Sequence, residues 1–385
     1  MSLRLLTAGE SHGPELVAIL DGMPAGVVVD QEKVDRQLRR RQGGHGRGAR
    51  STRVERDHAE IVAGVSSGVT TGSPIAIRIV NRDHANQPTN PPPITTPRPG
   101  HADWAGGVKY GTTDLRRIRE RASARETAAR VAAGAIARQL LASLGVDVVS
   151  FVTAIGTVEA ALDLGRCDAR ELSRLADLAE DDPVRCFDPD RSALMVQAVD
   201  AARVGRETLG GTFVVAASGV PVGLGSHTQW DRRLDAQLAH AMMSIPAVKG
   251  VEIGPAFQVA TMPGTQAQDP FATDPISTSR VQNFAGGLEG GMTNGEPVVL
   301  RAAMKPLSSV RAPVQSIDLA SGERADPPYI RSDICAVPAA AVVGEAVLAL
   351  VLAGAVLEGF GGDRLDDIVA AAVSAARRSL FWGLE

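Results

Sequence analysis

Apolar positions along the chain fall into short runs and two long ones. Ile75-Ala76-Ile77-Arg78-Ile79 and Val298-Val299-Leu300-Arg301-Ala302 are β-rich, follow glycine turns, and predict strands. From about Ala124 to Leu144 the chain is alanine-rich with an apolar stripe, which predicts a helix laid on a core. From about Ala339 to Glu358 it is apolar nearly all round, which predicts a deeply buried helix. The run Ala336 to Phe360 is long enough to span a bilayer, but Glu345, Glu358 and its glycines favour a buried helix, so no membrane partner is expected. Asn81 to Pro99, with six prolines, reads as a loop, and the polar, Asp/Arg-rich stretch from about 152 to 200 as a peripheral helical excursion.

The pattern occurs twice. Asp21-Gly22-Met23-Pro24-Ala25-Gly26 is echoed by Ser218-Gly219-Val220-Pro221-Val222-Gly223, and Asp35-Arg36-Gln37-Leu38 by Asp235-Ala236-Gln237-Leu238. Gly68-Val69-Thr70-Thr71-Gly72-Ser73-Pro74 is echoed by Gly291-Met292-Thr293-Asn294-Gly295-Glu296-Pro297. Three pairs in one order argue for duplication. The expectation is an α+β chain with two pseudo-equivalent sheet-and-helix units sharing one core, repeats at about 3–144 and 212–360 of a single domain spanning 1–385.

Composition narrows the function classes. With 385 residues, 44% of them hydrophobic and 22% charged, the chain reads as globular. A net charge of −4 and 3% aromatics argue against an extended nucleic-acid surface. Three cysteines without CxxC spacing, and no HxxxH or HExxH, predict neither disulfides nor a metal site. Walker A and a well-placed GxGxxG are missing as well. The first residues lack a long apolar segment and a cleavage pattern, so a cytoplasmic location is expected.

The candidate chemistry is anionic recognition. Arg36, Arg39, Arg40, Arg41, Arg47, Arg50, Arg53 and Arg56 flank the turn Gly43-Gly44-His45-Gly46, and the second repeat carries no such cluster, so these arginines point to chemistry rather than scaffold. A solvated face or an RNA-binding patch is the alternative reading. A second cluster, Arg116, Arg117, Arg119, Arg121 and Arg125, surrounds Ser123-Ala124-Arg125-Glu126, a capping box opening a helix whose free N–H groups suit an anion. A plain capped helix is its alternative. Lys305-Pro306-Leu307-Ser308-Ser309 suits a phosphate oxygen, and Arg331-Ser332-Asp333 is either functional or a salt-bridged helix start. His12 and His101 sit in glycine-flanked segments where an imidazole can act as an acid.

Several of these segments are long and specific. Gly9-Glu10-Ser11-His12-Gly13, Arg98-Pro99-Gly100-His101-Ala102-Asp103, Ser123-Ala124-Arg125-Glu126-Thr127, Val248-Lys249-Gly250-Val251-Glu252-Ile253-Gly254 and Arg331-Ser332-Asp333-Ile334-Cys335-Ala336-Val337-Pro338 resemble the chorismate synthase family over nearly the whole chain. The resemblance implies a β-α-β sandwich protomer, a helical layer between antiparallel sheets, in a homotetramer. It implies 1,4-elimination of phosphate from the small anionic molecule 5-enolpyruvylshikimate 3-phosphate, dependent on reduced FMN. NADPH enters if the chain reduces its own flavin, and a separate flavin reductase if it does not.

The resemblance also implies roles. His12 would give a proton to the leaving phosphate, His101 would protonate the reduced flavin, and Asp333 would help take up the substrate proton. Arg41 and Arg47 match positions for substrate or NADPH, and Arg50 of the first cluster and Arg125 of the second are grouped with them as substrate-binding. Arg121, Ala122, Ser123, Ala247, Gly290, Lys305, Pro306, Leu307, Ser308, Ser309 and Arg331 match flavin positions, with Pro246 beside them. Two departures stand out. Many members carry a glycine run and then Arg-Ser-Ser where this chain has Arg119-Glu120-Arg121-Ala122-Ser123, a form that a sizeable branch shares, and Asn or Gln is usual where it has Pro246. Proline removes a backbone donor and a side-chain amide together, which would weaken flavin binding if relatives use that amide. An RNA-binding module, a net flavin oxidoreductase and an inactive paralogue are the rival classes.

Overall fold

The computed structural model describes residues 3–48, 56–88, 91–272, 279–312, 314–328 and 332–380; Arg50, Arg53 and Arg331 lie outside them. The chain is α+β. Strands β1 (Arg4–Ala8), β2 (Glu15–Asp21), β3 (Glu60–Ala63) and β4 (Ile75–Val80) form an antiparallel sheet in the order β1-β2-β4-β3. Strands β5 (Asp147–Ile155), β6 (Val158–Glu159), β7 (Gly211–Ser218), β8 (Val248–Ile253) and β9 (Val298–Met304) form a second antiparallel sheet, β8-β9-β7-β5-β6.

The helices that matter for the site are α1 (Gln31–Gln42), α2 (Asp103–Tyr110), α3 (Arg116–Ala122), α4 (Thr127–Ala142), α5 (Ala169–Glu180), α6 (Pro189–Val204), α7 (Leu234–Met243) and α8 (Val337–Phe360). In the first sheet the strand period of two puts Leu16, Ala18 and Leu20 of β2 and Ile75, Ile77 and Ile79 of β4 inside. They share one core with Ala128 to Leu141 of α4. Helix α8 packs on β5, β7 and α4 and is buried along most of its length, as its all-round apolar sequence predicts. Gly134 permits the α4–α8 approach, since a Cβ there would lie 2.5 Å from the Cβ of Ala346.

Strand β7 is buried from Phe213 to Ala217 because both of its faces are covered. The outer side carries a second small core of Phe151, Val214, Ala216 and Val299 with Leu172 and Leu175 of α5. The excursion expected from 152 therefore starts later, after β6. Val152 to Ile155 belong to β5, and only the segment bearing α5 and α6 lies outside the sheet.

Thr70 Oγ1 donates to Pro24 O at 2.6 Å and accepts from Val27 N at 2.9 Å, while Gly26 N donates to Thr70 O at 3.0 Å. Thr293 Oγ1 donates to Pro221 O at 2.6 Å and accepts from Leu224 N at 2.9 Å, while Gly223 N donates to Thr293 O at 2.9 Å. The same threonine thus ties the same glycine turn at both repeated segments.

The capping box does not form. Ser123 Oγ accepts from Arg125 N at 3.3 Å and caps a 3-10 turn, Ala124–Glu126, after which α4 begins at Thr127. Glu126 turns instead to Thr7 Oγ1 at 2.8 Å and Arg130 Nε at 2.9 Å. A distant hydroxyl and an i, i+4 arginine take the place of the bond back to the cap.

Candidate active site

A cavity of about 860 Å³ opens where the Glu10–Gly13 loop, the end of α1, the loop after β4, the turn leading into α2, helix α3, the turn before β8, the segment after β9 and the start of α8 converge. That is near the upper end for small-molecule sites. Among the described residues its lining holds seven basic side chains (Arg41, Arg47, Arg98, Arg116, Arg119, Arg125 and Lys305) and three carboxylates (Glu10, Glu120 and Asp333). A polyanion would relieve that excess of positive charge.

His12 and His101 both line this cavity, and each rests on a carboxylate. His12 Nδ1 bonds Glu120 Oε1 at 2.8 Å, and His12 N donates to Glu120 Oε2 at 2.7 Å. Burial alone would raise the Glu120 carboxyl, but these bonds outweigh it and hold it below its ordinary range. His101 Nδ1 bonds Asp103 Oδ1 at 2.6 Å. Asp103 is fully buried and also accepts from Arg98 Nε at 3.1 Å and Arg119 Nε at 2.9 Å. Burial opposes its charge, yet the bonds from His101 and Arg98 keep its carboxyl far below the usual range.

Of the first cluster's arginines that reach the cavity, Arg41 is buried and Arg47 partly buried. Arg41 donates to Thr127 Oγ1 and to Ala124 O, both at 2.9 Å, and sits 3.7 Å from Asp57. Asp57 is gripped in bidentate fashion by Arg125, at 2.6 and 2.8 Å. Arg47 pairs with Asp333, which also accepts from Gly48 N at 2.6 Å. Asp333 is therefore joined to the first repeat across the chain, beyond the local pairing its neighbour Arg331 suggested. Arg36 and Arg39, the solvated members, pair with Glu180 and Glu32. Among the described residues, Arg36, Arg39, Arg40, Arg41 and Arg47 are engaged with carboxylates rather than presenting a continuous basic face.

Arg119 is 5% exposed, and burial together with Arg98 and Arg116 outweighs Asp103 to lower its guanidinium from its ordinary value. Its Nη1, and Nε of Arg116, are buried without a hydrogen-bond partner among the described residues. Both side chains line the cavity, so these donors suit an anionic ligand. Burial, then Lys249, likewise lowers Lys305. Arg98 Nη1 donates to Ser309 Oγ at 2.7 Å, tying the His101 loop to the segment after β9.

Pro246 has a local explanation. Val248 N donates to Ile245 O at 3.1 Å and Ala247 has φ +69°, which makes residues 245–248 a type II turn. Proline is favoured at the second position of that turn, and its missing N–H is not needed there. The turn holds a strained alanine at the cavity wall, and Ala247 O accepts from Lys305 N at 2.9 Å.

Of the residues singled out from sequence, His12, His101, Asp333, Arg41, Arg47, Arg125, Ala122, Ser123, Pro246, Ala247, Lys305, Leu307, Ser308 and Ser309 share this cavity. Pro306 is in the same segment but is not among the lining residues. Arg121 turns away and donates to Thr7 O at 2.7 Å and Gly9 O at 3.2 Å. Gly290 lies on the turn between Leu288–Glu289 and Met292–Thr293, off the cavity. Asp57, Asp103 and Glu120 were not anticipated as site residues. Asp103, two positions from His101, carried a local signal; Glu120, 108 positions from His12, carried none.

A family model described as chorismate synthase matches residues 3–357. A chorismate synthase of Moorella thermoacetica is 53% identical over 373 residues, covering 94% of this chain and 95% of that protein. One of Desulforudis audaxviator is 51% identical over 378 residues, covering 95% of each. A crystal structure of chorismate synthase matches with a TM-score of 0.81 at 40% identity, over 99% of both chains.

Proposed function

Since the chain belongs to the chorismate synthase family of lyases, we propose that it eliminates phosphate from 5-enolpyruvylshikimate 3-phosphate in the 1,4 sense to give chorismate, with reduced FMN in the same cavity. The observation that carries this reading is one cavity in which seven basic side chains surround two carboxylate-backed histidines. The substrate brings a phosphate and two carboxylates and FMN another phosphate, a charge load that the lining and the unpartnered donors of Arg116 and Arg119 fit.

FMN, when bound in reduced form, supplies transient electron donation to the allylic system while the reaction stays redox-neutral overall. The chain's residues do the rest. Arg41, Arg47 and Arg125, held by Thr127, Asp333 and Asp57, grip and orient the anionic substrate. His12 has Nδ1 on Glu120, so the proton it gives the leaving phosphate departs from Nε2. His101, oriented by Asp103 and Arg98, is the second proton-holding side chain and is assigned to the reduced flavin. Asp333 helps take up the proton lost as the C–H bond breaks.

Ala122, Ser123, the turn at Pro246 and Ala247, and Lys305 to Ser309 are assigned to the flavin. Arg121, Gly290, Arg331 and Arg50 are assigned by family resemblance alone. The matched threonine ties and sheet orders support a duplicated β-α-β sandwich within one domain. A cytoplasmic homotetramer completes the reading, with flavin reduced by NADPH on this chain or by a separate reductase. The decisive experiment is anaerobic incubation with the enolpyruvyl substrate and reduced FMN, following phosphate release and chorismate absorbance. Both signals should vanish without reductant; phosphate release that is indifferent to flavin would reject the assignment.

A further inference from the structure

We propose that Glu120 is a positioning residue for His12, fixing which ring nitrogen exchanges a proton with the ligand; this rests on the reading of the site given above. The two oxygens of Glu120 are divided between the two donors of one residue. Oε1 takes the ring Nδ1 at 2.8 Å and Oε2 takes the backbone N at 2.7 Å. The backbone of Glu120 adds a third tie, its carbonyl accepting from Ser11 N at 3.1 Å. On the opposite side, Asn81 Nδ2 donates to Ser11 O at 3.0 Å and Gly13 O at 2.7 Å, and His84 Nδ1 bonds His12 O at 2.8 Å. The main chain from 11 to 13 is thereby clamped, leaving the imidazole only its own torsions, and the carboxylate constrains those.

An ionised carboxylate only accepts, so Nδ1 facing Glu120 must carry hydrogen, and Nε2 becomes the site of proton exchange. Glu120 is held ionised by the same bonds, and its side chain is 15% exposed, so water competes little for it. Glutamine can replace it only in part: an amide has one acceptor oxygen, so one of the two N–H donors would meet an NH₂ group.

The test uses the full-length protein with ¹⁵N-labelled histidine, the His12 signals being assigned by their loss in His12→Asn. At alkaline pH the wild-type ring should show protonated Nδ1 and bare Nε2. Glu120→Ala should shift that pattern towards a tautomer mixture, and Glu120→Gln, which preserves volume if the alanine variant folds poorly, should do so in part. In turnover, both variants should lose about 10- to 100-fold in kcat with KM within about twofold, less than the full loss of a general acid. Unchanged ring ¹⁵N shifts in the variants, or a raised KM at wild-type kcat, would overturn the proposal. The tautomer is read in the resting protein. A wild-type enzyme that released no phosphate would therefore sink the reaction while leaving the role of Glu120 in setting the ring separately decided.

Discussion

Glu345→Gln removes one charge from the middle of α8. The Glu345 side chain is 1% exposed and accepts from Arg40 Nη1 at 2.6 Å, Arg40 Nη2 at 3.0 Å and Ser150 Oγ at 2.6 Å. It also pairs with Arg138, and Arg185 lies 3.8 Å away. Burial opposes the charge, but Arg40 and Arg138 outweigh it and hold the carboxyl at about 2. Against an ordinary value of about 4.3, that is on the order of 3 kcal/mol of stability at neutral pH. Without the charge, Arg40 and Arg185 keep Glu180 while Arg138 loses its carboxylate partner, and uncompensated buried charge costs about 3–5 kcal/mol. Arg185 is already lowered by burial and by Arg40, which marks how crowded with positive charge the cluster is.

For 385 residues the unfolding entropy is about 0.8 kcal/mol/K, so Tm should fall by about 4–6 °C. The pH dependence has a definite sign. A depressed carboxylate stabilises above its unfolded pKa and loses that contribution as pH falls through its folded pKa. Urea unfolding of both proteins should therefore show the full gap at pH 7 and 5, and under half of it at pH 3. A gap below about 1 kcal/mol at pH 7, or one that stays constant down to pH 3, would refute the reasoning.

His12→Ala and His101→Ala should each lower turnover with chemically reduced FMN by about 10²- to 10⁴-fold, and wild-type rates in both would remove them from the reaction. Gly134→Ala adds a methyl 2.5 Å from Ala346 Cβ and 2.7 Å from its carbonyl oxygen, so it should cost about 1–3 kcal/mol despite better helix propensity. A melt showing higher stability would contradict that close helix crossing. Ala247→Gly should relieve the left-handed backbone at φ +69° and gain up to about 1 kcal/mol, read as a Tm about 1 °C higher. A clear loss of stability would show that alanine's methyl packs better than the strain costs.

The periodicities alone located β4, β9, α4 and α8, because each depends on residues a few positions apart. The repeated segments were legible too, and the matched ties of Thr70 and Thr293 are their structural counterpart. So were the side chains proposed to carry chemistry: an arginine cluster present in one repeat only, and histidines at glycine turns. What could not be read was who holds them. Arg47 meets Asp333 across 286 positions, Arg125 meets Asp57 across 68, and His12 meets Glu120 across 108. Even a local rule failed at Glu126, where Thr7 and Arg130 displaced the capping box. Local pattern follows from backbone sterics and the burial of one face, both written along the chain. The partner of a buried charge follows from which segments the sheets and the helices packed on them bring to the same wall, and that is settled only when the core closes.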